Sequence, residues 1–312
     1  MNGPPKIAIL LSTYNGAEYL AEQFQSILDQ TYTEYLVIAR DDGSQDGTHQ
    51  LLQEFAQQNP GRMHLVQDLH GNLGASGSFA FLMGYALERQ GELGLEPAYF
   101  TYCDQDDHWL PEKLQTQMRS MMAMETEIGS NSVPLLVHSD LRVVSEQGEI
   151  IADSFVRYQG LEINRNRFNH LLISNLVTGC TALFNGAAAR KALPIPRASI
   201  MHDWWLALVV SAFGRVTFLP QQLVHYRQHG NNTIGAKEFV RLVPGEGGFL
   251  RRLLEMRSNE HLQDVARQAV AFRERFESEL DPGVIKCLRL ASGMAANLYP
   301  VQRLYYRRAR RL

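Results

Sequence analysis

An α/β fold built on a largely parallel sheet is predicted by three features of this 312-residue sequence. Short apolar runs alternate with stretches of helical periodicity, as repeated strand–helix units require. The first run, residues 7–12 (IAILLS), is apolar throughout, which suits a central strand covered on both faces. The runs beginning at Tyr35 and Tyr99 each end in carboxylates, which places negative charge at one sheet edge, where open α/β sheets collect ligands.

The elements follow in order. After the first strand, Thr13, Tyr14, Asn15 and Gly16 form a loop, and Leu20, Phe24, Ile27 and Leu28 then recur at helical spacing. Residues 35–39 repeat the strand and end in DDGSQDGT, where Gly43 and Gly47 permit tight turns and Asp46 is placed to cap the next helix. Residues 63–67 give a third strand, and the Gly-rich GNLGASGS leads into a helix through Phe79, Leu82, Met83 and Leu87. The fourth strand, residues 99–102, runs into Asp104, Asp106 and Asp107, with a helix opened by Pro111 and Glu112. Hard oxygen ligands so closely spaced suit Mg2+ or Mn2+, which in turn hold substrate phosphates, although carboxylates before a helix also stabilise its first turn.

Beyond that loop the parallel part of the sheet is expected to end. Residues 135–144 and 149–152 flank a turn and predict a hairpin, and residues 177–184 (VTGCTALF) a strand in which the small Gly179 and Cys180 permit close approach. MHDWWLALVVSAFG predicts a helix starting near Asp203, and residues 216–226 a strand ending in HYRQHGNN. From residue 236 the period is helical, with Val265, Ala269 and Phe272 on one face and a break at Pro282-Gly283.

Composition limits the functional classes. At 45% hydrophobic and 20% charged, the chain can bury a full core for one large domain and an appendage. No run of 18 apolar residues occurs and the first strand begins by Ile7, so a cytoplasmic chain is expected. Three scattered cysteines support neither a disulfide framework nor a zinc site. Residues 241–312 hold 14 Lys+Arg against 8 Asp+Glu, leaving a net −9 on residues 1–240. An acidic body without a basic aromatic stripe argues against nucleic acid as a partner. The terminal segment interleaves Leu298, Tyr299, Leu304, Tyr305 and Tyr306 with five arginines, which suits either an anionic membrane surface or a solvated helix end. An NAD enzyme would share the alternation, but no GxGxxG follows the first strand.

The residues LLSTYNGAEYLAEQFQSILDQTY, IARDDGSQDGT and DQDDHWLPEKL, in this order and spacing, resemble the family 2 inverting glycosyltransferases. The DQDDxW variant with HDWW is similar to the bacterial rhamnosyltransferase-like branch that builds O-antigens and related surface polysaccharides. The resemblance implies a GT-A fold, a Rossmann-like three-layer α/β/α sandwich over residues 1–235, with a C-terminal helical extension over 236–312. It implies a dTDP- or UDP-sugar donor, dTDP-rhamnose among them, a glycan or polyprenyl-linked acceptor, and a peripheral place at the inner face of the plasma membrane. A non-catalytic nucleotide-sugar-binding scaffold of the same fold would share these residues.

By the same resemblance, Thr13, Tyr14 and Asn15 lie in the loop holding base and ribose, Asp42 contacts the pyrimidine imide, and Asp104 reaches the ribose or sugar. Asp106 and His229 are expected on the metal, with Asp107 either a further metal ligand or a brace of the loop, and Arg227 is expected on the diphosphate. Asp203 matches the general base, unless it merely caps its helix. Trp109, His202, Trp204 and Gly179 are the expected pocket residues, with His202 orienting the base or packing beside aromatics. The chain lacks the QxxRW motif of processive members, so one sugar per encounter is expected. GNLGASGS carries no Lys or Arg, which leaves its backbone N–H groups as the phosphate donors.

Overall fold

Alternation along the strands builds two cores, one on each face of a single sheet. The computed structural model describes residues 3–230 and 260–295. Strands β1 (Ile7–Thr13), β2 (Tyr35–Asp41), β3 (Met63–Leu65) and β4 (Tyr99–Cys103) alternate with helices α1 (Ala17–Leu28), α2 (Thr48–Gln58) and α3 (Gly74–Glu88). Ile7, Ile9 and Leu11 point to the face covered by α1, α2 and α4 (Lys113–Ile128), while Ala8 and Leu10 point to the face covered by α3. Burial on both faces is why the IAILLS run carries no alternating polar residue.

The remaining elements are β5 (His108–Trp109), β6 (Leu135–Val144), β7 (Ile150–Ala152), α5 (Phe155–Tyr158), α6 (Phe168–Leu171), β8 (Ala182–Asn185), α7 (Gly186–Ala192), α8 (His202–Phe213), β9 (Arg215–Arg227), α9 (Glu260–Phe276) and α10 (Pro282–Ser292). The strand order is β3-β2-β1-β4-β8-β6-β9-β5, with β7 paired to β6. β1 to β4 pair in parallel, and β8 runs antiparallel between β4 and β6. The result is a three-layer α/β/α sandwich.

Two sequence expectations are corrected, and one unpredicted strand is added. Parallel pairing does not end after β4, because β6 pairs in parallel with β9, the crossover between them running through α8. Residues 177–184 are a strand only from Ala182, since Gly179–Thr181 form a 3-10 turn. β5, two residues long and therefore without periodicity, pairs antiparallel with β9 through His108 opposite His225.

α9 and α10 share the α3 and α8 core. Val265, Ala269, Phe272 and Leu288 are buried there, with the Phe272 ring 5.3 Å from that of Trp205. Arg275 donates to the Ala192 carbonyl at 3.0 Å and to that of Lys191 at 2.9 Å, satisfying acceptors at the end of α7. Phe249, Leu250, Leu253, Leu254, the division at residue 235 and the terminal Tyr/Arg segment lie outside the described residues.

The passage from α8 into β9 is tightly fixed. A Cβ on Gly214 would lie 1.7 Å from the Pro134 carbonyl oxygen, and Arg215 N–H donates to that same oxygen at 3.0 Å.

Candidate active site

The crevice lies where β1, β2 and β4 end. Thr13 is buried, its carbonyl accepting Asp42 N–H at 2.8 Å. Tyr14 is 49% exposed at the mouth. Its N–H donates to Gln105 Oε1 at 2.8 Å and its carbonyl accepts Gln105 Nε2 at 3.0 Å, so one amide side chain clasps the first loop to the acidic loop. Gly16 makes room, because a Cβ there would lie 2.1 Å from Gln105 Oε1. Asn15 braces the second loop: its N–H donates to Ser44 Oγ at 2.8 Å, and its side chain accepts Gln45 N–H at 2.8 Å. Asp46 accepts from Thr48 N–H at 2.9 Å and Ala17 N–H at 3.1 Å, serving the first residues of both α1 and α2.

Asp42 has little left for a ligand. One carboxylate oxygen takes Arg40 and the Leu73 N–H at 2.7 Å, and the other takes the Gly74 N–H at 2.8 Å. Arg40, itself buried, is held by Asp68 at 2.8 Å. The start of α3 therefore already carries an internal anion. This corrects the expectation that the backbone donors of GNLGASGS are free for phosphate, since two of them are engaged by Asp42.

The acidic loop divides into two functions. Asp106 pairs with His229, Oδ2 to Nε2 at 2.8 Å, and the His229 ring stacks on Tyr19 at 4.8 Å. Arg227 is nearly buried and reaches protein acceptors: the Asp106 carbonyl at 3.1 Å, the Glu146 carbonyl at 2.7 Å and Glu22 Oε2 at 2.7 Å. Asp106, Arg227 and His229 thus tie the loop to the end of β9.

Asp104 and Asp107 face the other way, toward Cys180, and their ligand atoms and its sulfur all lie within 4.8 Å of one another. Asp107 is 1% exposed, and its Oδ2 is buried without a hydrogen-bond partner. Burial, then the neighbouring charges of Asp106 and Asp203, pushes the Asp104 carboxyl up to about 7. Burial and the charges of Asp106 and Asp104 raise Asp107 well above the carboxylate range. A half-buried and a buried carboxylate that resist ionising together are relieved by a divalent cation, so the donor set fits one. The converging set is Asp104 and Asp107 with Cys180, whereas the expected Asp106 and His229 are paired with each other. Beneath the loop, Lys113 is fully buried, 3.1 Å from Gln117 Oε1 and 3.7 Å above the Trp109 ring. Burial lowers its ammonium to about 8.

Asp203 enters the crevice from α8. It is the second residue of that helix, and Met201 occupies the capping position, so Asp203 does not cap the helix. Gly179 N–H donates to Asp203 Oδ2 at 2.9 Å, and Asn175 Nδ2 to Oδ1 at 3.3 Å. Burial raises its carboxyl to about 6, against the pull of backbone N–H groups. Gly179 is needed for closeness: a Cβ would meet His202 Nε2 at 3.2 Å and Asp203 Oδ2 at 3.5 Å.

His202 is buried between Phe79, ring to ring at 4.3 Å, and the edge of Tyr102 at 4.6 Å. Burial lowers it to about 3, leaving a neutral ring whose two nitrogens meet no hydrogen-bond partner among the described residues, and the backbone N–H of His202 donates to Ser76 Oγ at 2.9 Å. The two expected pocket tryptophans are core residues. Trp109 is fully buried under the acidic loop, and Trp204 donates to the Leu171 carbonyl at 2.5 Å while stacking on His261 of α9. Sequence reasoning missed Gln105, Asn175, Ser76 and Lys113, whose roles come from long-range contacts that no local pattern signals.

The fold is that of the GT-A class of sugar-nucleotide transferases, here an α/β/α sandwich with carboxylates beyond its strand ends. The family model described as Glycosyl transferase family 2 matches residues 8–133. The chain is 27% identical over 234 residues to an uncharacterized glycosyltransferase of Nostoc, covering 73% of this chain and 66% of that one. It is 23% identical over 229 residues to the dTDP-rhamnosyl transferase RfbG of Shigella flexneri, covering 72% and 74%. The chain spans less than two thirds of the Nostoc relative's length, 66%, and 44% of that of another relative.

Among solved structures, TarS of S. aureus in complex with UDP-GlcNAc aligns with TM-score 0.53 and 15% identity, covering 98% of this chain and 92% of that one. A Pyrobaculum calidifontis mannosyltransferase in complex with GDP-Man and Mn2+ aligns at 0.56 and 17%, covering 98% and 74%. At these identities the structures speak for the fold. Over residues 8–133 the chain is similar to the family 2 glycosyltransferases, and the relatives it matches beyond that segment are glycosyltransferases by name.

Proposed function

We propose that this chain is an inverting, non-processive glycosyltransferase that moves one sugar from a nucleotide-diphosphate donor to a hydroxyl of a glycan or polyprenyl-linked acceptor in cell-surface polysaccharide synthesis. The observation that carries the reading is Asp203, a carboxylate held by Gly179 and Asn175 beside the acidic loop, with its proton affinity raised to about 6. A general base needs a pKa near working pH, and burial supplies it. In the transfer, the acceptor O–H proton passes to Asp203 and the acceptor oxygen bonds to the anomeric carbon. The bond from that carbon to the diphosphate oxygen breaks, and its electron pair leaves with the nucleoside diphosphate.

Tyr14, at the crevice mouth, and Thr13, beneath it, are assigned to the nucleoside, and Gly179 and His202 to the floor of the sugar and acceptor pocket. Asp104 and Asp107 would hold Mn2+ or Mg2+, which supplies positive charge for the leaving diphosphate. The name of the Shigella relative supports dTDP-rhamnose as a donor to try first. No helix among the described residues is long and apolar enough to cross a membrane. The basic terminal segment is assigned to an anionic surface at the cytoplasmic face, where a polyprenyl-linked acceptor would lie.

Thermal-shift screening of dTDP- and UDP-sugars with Mn2+ identifies the donor. Donor hydrolysis in wild type, lost in Asp203→Asn while binding persists, supports the transferase. Equal binding without turnover in wild type identifies the alternative, a nucleotide-sugar-binding scaffold of the same fold.

A further inference from the structure

His202 carries two polar atoms that the protein itself does not use. Both ring nitrogens are buried and meet no hydrogen-bond partner among the described residues, although the ring is held from three elements. Phe79 of α3 stacks on it at 4.3 Å, Tyr102 of β4 meets it edge-on at 4.6 Å, and the turn Gly179–Thr181 lies beyond Nε2. A phenylalanine would suit the same aromatic slot, whereas each nitrogen of a neutral imidazole left unsatisfied there costs about 1–3 kcal/mol. That cost points to a partner from outside the chain. Gly179 sets the direction: a Cβ on it would lie 3.2 Å from His202 Nε2 and 3.5 Å from Asp203 Oδ2, and its next neighbour is Asp203 Cβ at 3.6 Å. The side chain that glycine lacks therefore opens a gap flanked by the ring nitrogen and the proposed base.

We propose that His202 binds the acceptor oxygen in this gap, its Nε2–H donating to the hydroxyl that Asp203 deprotonates, and so fixes which hydroxyl attacks. This rests on the reading of Asp203 as the base. The hydroxyl gives its proton to the carboxylate, accepts the Nε2–H on one lone pair and turns the other toward the anomeric carbon. The His202 proton stays on its ring. Burial, which lowers that ring to about 3, keeps it from competing for the acceptor proton, so base and positioning group remain separate. The backbone N–H of His202, fixed to Ser76 Oγ at 2.9 Å, and the two aromatic rings limit how far the imidazole can turn.

The test follows donor hydrolysis by the full chain in Mn2+, with water as the acceptor. The probe is dTDP-rhamnose or UDP-GlcNAc, whichever raises the melting temperature of wild type more. His202→Phe fills the aromatic slot without a nitrogen, and His202→Gln carries an amide N–H to the place of Nε2. His202→Phe should melt at or above wild type and bind the probe within about twofold of it, yet hydrolyse it at least about tenfold more slowly, the worth of one positioning hydrogen bond. His202→Gln should keep hydrolysis within about threefold. His202→Leu takes the place of the phenylalanine variant should that one disturb folding, each being checked by thermal melting. A phenylalanine variant that hydrolyses within about threefold of wild type makes the ring a packing residue and overturns the inference, while Asp203 still stands as the base. Equal losses in the phenylalanine and glutamine variants overturn the hydrogen bond. A wild type that binds the probe and never releases nucleotide overturns the transferase reading and this inference together.

Discussion

Asp203 and Gly179 are joined by a 2.9 Å hydrogen bond from the glycine N–H to the carboxylate Oδ2. The bond crosses between α8 and the turn before β8, so the proposed base is aimed by backbone from a separate element. Because Gly179 has no side chain, the base can lie this close, and Asn175 steadies its second oxygen at 3.3 Å.

Asp203→Asn should lower donor hydrolysis and sugar transfer by about 10²–10⁴ with nucleotide affinity retained. In wild type, turnover should rise with pH through about 6 as the base ionises.

The same shift predicts a stability profile. The folded carboxyl, at about 6, lies above its ordinary 3.8, so the native state binds the proton more tightly. The stability this contributes is present below the ordinary value and is lost as pH rises through about 6. Asp203→Asn should therefore melt higher than wild type at pH 8, by on the order of 1–3 kcal/mol, and this advantage should shrink toward pH 4. Melting curves at the two pH values decide it, and a constant difference would refute the linkage.

Asp106 and Asp107 should separate. Asp107→Ala should abolish the cation dependence of dTDP or UDP binding measured by calorimetry. Asp106→Ala, which removes the carboxylate partner of His229, should cost about 1–3 kcal/mol of stability while a measurable cation dependence remains. The reverse pattern would return the cation to Asp106.

Gly16→Ala should displace the Gln105 amide, a flexible side-chain end that can move at little cost to folding. Nucleotide affinity should fall several-fold while melting changes by less than about 1.5 kcal/mol, the worth of one or two hydrogen bonds. Gln105→Ala should reproduce the affinity loss.

A chain ending at Tyr299 should lose salt-sensitive sedimentation with anionic vesicles, since it lacks the five arginines of the terminal segment. Equal sedimentation of the two chains would make that segment an ordinary helix end.

The sheet was legible where burial is strong and local. The IAILLS run, the two acidic loop positions and the helix periods around Leu20 and Val265 each follow from nearby residues. Pairing across the sheet was not, because the β6 to β9 alignment depends on a crossover of some seventy residues and leaves no mark in either strand. Among candidate site residues, Asp203 and Gly179 were legible as types and do meet. Asp106 was expected from the family motif, but its 2.8 Å pairing with His229 at β9's end leaves no mark in the acidic loop itself. Trp109 and Trp204 were placed in the pocket by their motifs, yet large aromatic surface favours the cores where both are found.

Gly214 follows the far end of α8 from Asp203, and yet the placement of that carboxylate depends on it. Helix α8 starts against Ser76 and ends where Pro134 leaves no space for even a methyl group on Gly214. The obstacle is main chain, which cannot swing aside as a side chain can, so a side chain at this far joint must displace either the Pro134 peptide or the end of α8. A displaced α8 would carry Asp203 away from Gly179 although every residue of the crevice were intact. Inherited change at Gly214 would look like an active-site lesion, and no inspection of the crevice would reveal its origin.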